Sequence, residues 1–103
     1  MEIDKLSVFK IKLKLVFMLP FRSEIRNSPT QQTIKIFLSD ESLDEEIKSY
    51  LESFSDIELI EIRKSVERNR VKENITIFRK SGVDINSLQA KIDESLNRYF
   101  ERK

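Results

Sequence analysis

The stretch Thr33–Phe54, TIKIFLSDESLDEEIKSYLESF, changes its hydrophobic period halfway along. Up to Leu38 the apolar residues alternate, with Ile34, Ile36 and Leu38 on one side and Thr33, Lys35 and Phe37 on the other, which is the pattern of a strand. Beyond Ser39 the spacing lengthens. Leu43, Ile47, Tyr50, Leu51 and Phe54 fall at i, i+4, i+7, i+8 and i+11, one apolar stripe on a helix. Ser42 and Glu45 make a capping-box pattern, and Asp44, Glu45 and Glu46 crowd the first turn, where the helix dipole favours acids. A strand running straight into a helix sets the plan of the chain.

Working outward, Ser7–Leu19 (SVFKIKLKLVFML) alternates cleanly. Phe9, Ile11, Leu13, Leu15, Phe17 and Leu19 share one side, and Lys10, Lys12, Lys14, Val16 and Met18 the other, so a strand is predicted. Pro20 ends it, and FRSEIRNSPTQQ (21–32) reads as a long polar connection. On the other flank, IELIEIRKSV (57–66) is a strand of mixed face pattern, and NITIF (74–78) a strand with Ile75 and Ile77 together. The hairpin between them turns at or near Asn69 and Arg70. Gly82 marks the next turn and Asp84 caps a last helix, with Val83 and Leu88 at hydrophobic-staple positions. Ile85, Leu88, Ile92, Leu96 and Tyr99 or Phe100 form its buried stripe.

The element order is ββαββα in a single domain, 1–103. The fold predicted is α+β, a permuted ferredoxin-like plan. It has a four-stranded antiparallel sheet in spatial order 1-2-4-3, with both helices on one face. Such a superfold hosts many functions and decides none.

Composition removes several chemistries. The 103 residues include no Cys and no His, which takes away disulfides, thiol nucleophiles, the commonest metal ligand and the usual neutral-pH base. One glycine cannot build a phosphate-cradling loop. The acidic run SDESLDEE lacks the spacing and the glycine of a calcium loop. The expectation is a protein without catalytic residues, metal or cofactor. LVFML (15–19) is far short of a membrane span, and no small-residue cleavage site follows it, so the chain reads as soluble and unexported: cytoplasmic, or part of a virion.

Net charge is only +1, yet it is segregated. Residues 1–39 carry seven basic and three acidic groups, residues 40–58 one and eight, and residues 59–80 seven and three. A near-zero total argues against a general polyanion binder, while the segregation permits a local one.

The sheet side opposite the helices is predicted to carry Val16, Met18, Phe37 and Phe78 among lysines. That is more apolar surface than an antiparallel sheet usually shows to water. Two functions follow. In the first the protein is a small non-catalytic interaction or assembly protein. It self-associates or docks on a larger assembly through this face and the first, edge strand, with Val16, Met18, Phe37 and Phe78 as contacts. In the second it binds RNA or single-stranded DNA. The aromatics would stack bases, and Lys10, Lys12, Lys14, Lys35, Arg68, Arg70 and Lys72 would hold phosphates. No membrane partner is expected.

IFLSD (Ile36–Asp40) resembles the first short motif of RNA-recognition motif domains, and that resemblance implies a base-stacking place for Phe37. The second motif of that family needs a glycine and further aromatics, where this chain has Asn74 and Thr76. ITIFRKSGVDINSLQAKIDESLNRYF (75–100) resembles strand–helix units of phage baseplate subunits, which implies a place in a virion-type assembly.

Overall fold

The computed structural model describes residues 19–102. Its elements are β1 (Phe21–Asn27), β2 (Gln32–Leu38), a 3-10 turn (Glu41–Leu43), α1 (Asp44–Leu51), β3 (Ile57–Glu67), β4 (Arg70–Arg79) and α2 (Ile85–Glu101). The four strands form one antiparallel sheet in the order β1-β2-β4-β3. Both helices pack on one side of it, the α+β, permuted ferredoxin-like arrangement that the hydrophobic periods predict.

The strand at the edge beside β2 is not the predicted segment. Ser7–Met18, with Lys10, Lys12, Lys14, Val16 and Met18, lies outside the described residues. The edge beside β2 is taken by Phe21–Asn27, which the sequence pattern marks as a connection. Its alternation is real but muted: Phe21, Ser23 and Ile25 turn toward the helices, and Arg22, Glu24 and Arg26 away. Residues 20–32 therefore do not fold over the outer sheet face. Only Ser28–Gln31 remain as the turn, closed by Ser28 N–H donating to Gln31 O at 2.9 Å.

The helix-side face is built in rows by the register. Ser23, Ile36, Ile75 and Ile62 lie side by side across the sheet, and so do Ile25, Ile34, Ile77 and Ile60. Against these rows α1 places Ile47 and Leu51, and α2 places Leu88, Ile92 and Leu96, all fully buried. Each such side chain contributes roughly 1.5–3 kcal/mol by leaving water. Tyr50 on α1 meets Ser95 on α2, Oη to Oγ at 2.6 Å, and stacks on Tyr99 with centroids 4.9 Å apart, joining the helices.

The mixed pattern of β3 has a single cause. Ile57 pairs with Arg79 but Leu59 pairs with Phe78, so Glu58 is an extra residue. This bulge inverts the parity of the strand: Ile57 before it and Ile60 and Ile62 after it all face the helices, while Leu59 faces out. The capping box is replaced as well. Asp40, rather than Ser42, caps the 3-10 turn by accepting the Ser42 N–H at 3.1 Å. At α2 the predicted cap is present, with Asp84 accepting the Ser87 N–H at 2.9 Å.

Candidate interaction surface

The outer face, away from the helices, is ordered by the same register. Glu24, Lys35, Thr76 and Glu61 form one row, and Arg26, Thr33, Phe78 and Leu59 the next. Carrying the β2–β4 register one residue further sets Phe37 beside Asn74. Phe37 and Phe78 are thus on adjacent strands, as predicted. They stand four residue steps apart, about 13 Å, with polar residues between them, so among the described residues they do not make one apolar patch.

Both rings are met by cations. Arg22, directly across from Phe37, lies over its ring at 4.2 Å, and Lys72 approaches the same ring at 5.8 Å. Arg63 runs along the face over Phe78 at 5.1 Å and pairs with Glu61 at 2.6 Å. Phe37 is only 2% exposed, and Asn74 and Thr76 at the centre of the face are 0% and 1%. These polar groups satisfy one another, as buried ones must. Thr76 Oγ1 donates to Asn74 Oδ1 at 2.7 Å, and Asn74 Nδ2 donates to Ser65 Oγ at 3.1 Å. Lys35 Nζ donates to Thr76 Oγ1 at 3.3 Å and to Asn74 Oδ1 at 3.4 Å. Burial, and then the Arg63 and Arg26 charges, hold the Lys35 amine below its ordinary pKa.

The exposed apolar surface of the sheet lies elsewhere. Leu59, Val66 and Val71 are 48%, 73% and 66% exposed, and all three belong to the β3–β4 hairpin. Val66 and Val71 are a cross-strand pair. The turn is Arg68–Asn69, one residue earlier than predicted, with φ of 49° and 66°, the two left-handed residues of a type I′ turn. Arg68 and Arg70 are exposed at its tip, whereas Lys72 is half-buried and reaches toward Phe37. Of the residues singled out from sequence, the structure brings Phe37 and Lys72 together and leaves Phe78, Arg68 and Arg70 apart from them.

β3 is an edge strand of eleven residues, and among the described residues its outer side pairs with nothing. Where it starts, Ile57, Ile60, Lys48 and Glu52 line a slot of about 270 Å³ between the edge and α1. Sequence reading misses the exposed valines because Val66 and Val71 sit amid Arg and Lys. Their equal distance from the turn is the available signal.

Of the three acids in the first turn of α1, Glu45 and Glu46 are exposed and Asp44 is not. It is 2% exposed, and neither carboxylate oxygen meets a hydrogen-bond donor. Burial, then the facing Glu73 carboxyl, then Glu41 and Glu45, push its pKa from 3.8 up to about 7. Among the described residues no three His, Cys, Asp or Glu side chains are placed to hold a metal ion, and no helix is long and apolar enough to cross a membrane. No family model matches the chain, and neither a curated protein nor a solved structure shows significant similarity to it. What the fold and surface define is a small α+β domain with a long sheet edge, β3, that is unpaired among the described residues.

Proposed function

We propose that the protein is a non-catalytic interaction or assembly protein whose contact surface is the β3–β4 hairpin and its open edge. The observation that carries this reading is the cross-strand pair Val66 and Val71, both exposed, on a hairpin whose β3 edge is unpaired among the described residues. Apolar side chains gathered beside free main-chain donors and acceptors are what a protein partner covers. Of the contacts expected from sequence, Phe37 is buried, and Phe78 is half-buried beside Leu59 on the outer face. The nucleic-acid reading draws on Arg68 and Arg70 at the tip, but base stacking needs open rings, and Phe37 is buried under Arg22.

The test is a photo-cross-linking amino acid in place of Val71 in the full chain, in cells producing it. Discrete protein adducts, to a second copy or to another subunit of a larger assembly, are expected. Adducts to nucleic acid, or no adduct when the same probe at buried Ile92 is the blank, would overturn the reading.

A further inference from the structure

Resting on that reading, we infer that the partner of the β3 edge is the β3 edge of a second copy, paired antiparallel about a two-fold axis at Ile62. Among the described residues, alternate backbone groups of β3 have no partner strand. In a two-residue turn the flanking residues, Glu67 and Arg70, exchange the closing hydrogen bond. Counting back along the ladder, Ser65, Arg63 and Glu61 turn their N–H and C=O groups toward β4. Val66, Lys64, Ile62 and Ile60 then turn theirs toward the open edge.

Antiparallel pairing of β3 with itself must keep like faces together, which restricts the axis to a residue position. An axis at Glu61 sets Glu61 against its own copy, an axis at Arg63 sets Arg63 against its own copy, and an axis at Lys64 opposes two lysines. With the axis at Ile62, Glu61 of each copy stands opposite Arg63 of the other. Ile62 then meets Ile62, and Ile60 meets Lys64, through residues whose backbone groups already point outward. This gives about six main-chain hydrogen bonds, and the Glu61–Arg63 pairs fall at the closer, non-hydrogen-bonded positions. Each Arg63, now paired with Glu61 of its own strand, would lie between two carboxylates.

The ends of the interface agree with its centre. Val66, 73% exposed, comes opposite the bulge at Glu58, over the partner slot lined by Ile57, Ile60, Lys48 and Glu52. The basic hairpin of one copy runs toward residues 52–58 of the other, where Glu52, Asp56 and Glu58 lie. The charge segregation seen in the sequence, +4 over residues 59–80 against −7 over residues 40–58, becomes complementarity between copies. The two sheets join into one with helices on a single face, and a two-fold interface closes on itself, leaving no free β3 edge.

Sedimentation equilibrium of the full chain tests this. The wild type is expected to dimerise, and Glu61→Arg and Arg63→Glu each to weaken the dimer by about tenfold or more, because like charges then face one another. Mixing the two variants is expected to restore a dimer, since every cross-strand pair in the mixed species is Arg against Arg's complement, Glu. Circular dichroism melts of each variant confirm that it folds. A wild type that stays monomeric at high micromolar concentration, single variants that dimerise like the wild type, or a mixture that stays monomeric each overturn the pairing. A monomer that still gives Val71 adducts to another protein overturns the pairing alone. Loss of all protein adducts overturns the broader reading as well.

Discussion

Ser23 on β1 donates a hydrogen bond from Oγ to Asp93 Oδ1 on α2 at 2.6 Å, and Gln89 Nε2 donates to the same Oγ at 3.1 Å. A polar residue at an inward strand position is thereby satisfied by the helix above it. With Phe21 stacked on Phe100 and Ile25 against the core, this contact fixes the edge strand to the body of the fold. Ser23→Ala leaves the Asp93 carboxylate without that donor and is expected to cost about 1–2 kcal/mol. Hydrogen exchange should show the change locally: amides of Phe21–Asn27 exchange faster while those of β4 keep their protection. Equal acceleration everywhere would contradict a local anchoring role.

The same contact explains what is and is not legible in the sequence. β2, α1, β4 and α2 announce themselves because apolar residues, chiefly Ile and Leu, recur at their inward positions, so the period is visible without the fold. β1 hides because Ser23 breaks the apolar alternation, and the partners that make it tolerable, Asp93 and Gln89, lie about seventy residues downstream. β3 blurs because a bulge shifts its parity, a property of pairing rather than of composition. On the outer face, alternation alone tells which residues of β2 and β4 point outward. Its charges resist reading for another reason: whether a lysine or arginine is solvated, stacked on a ring or held in a network depends on register, as Lys35, Arg22 and Arg63 show.

Asp44 predicts a stability that falls with rising pH. Its folded pKa, about 7, stands above its ordinary 3.8, so the folded state holds a proton that the unfolded chain has released. The contribution is therefore complete below the unfolded value and is lost as pH rises toward the folded one. Protonated, Asp44 can share its proton with Glu73; ionised, it is a buried charge beside another carboxylate. Asp44→Asn keeps the shape and a donor and removes the titration. Its unfolding free energy, read from urea melts, should match that of the wild type near pH 4 and exceed it at pH 8 by roughly a few kcal/mol. A difference that stays constant between these pH values would show that Asp44 does not titrate as proposed.

Asp84 carries the opposite sign. As the cap of α2 it accepts from both the N–H and the hydroxyl of Ser87, which holds its carboxyl below the usual range. Its contribution is present above the ordinary carboxylate pKa and is lost as pH falls through the folded value. Asp84→Ala should lower Tm at pH 7, with the deficit shrinking in acid. Asp84→Ser, an uncharged cap, should recover part of the loss and remove the pH dependence. Thermal melts of the three proteins at pH 7 and pH 3 separate these outcomes. An alanine deficit that persists undiminished in acid would assign the effect to helix propensity instead.

The β3–β4 turn offers a gain in stability. Arg68 and Asn69 both adopt positive φ, a conformation in which the Cβ of an L residue crowds its own backbone. Asparagine and glycine tolerate it best, and Asn-Gly is the preferred pair for a two-residue type I′ turn. Replacing Arg68 by Asn and Asn69 by Gly together should therefore stabilise the fold by about 1 kcal/mol, read as a higher urea midpoint with unchanged slope. Arg68→Val, with a branched Cβ at the same φ, should destabilise it by a similar amount. Neither change touches residues 60–64, so dimerisation through the β3 edge should survive the double substitution, weakened only by the loss of the one exposed charge at Arg68. Loss of the dimer in that more stable variant would place the contact at the hairpin tip instead of along the strand.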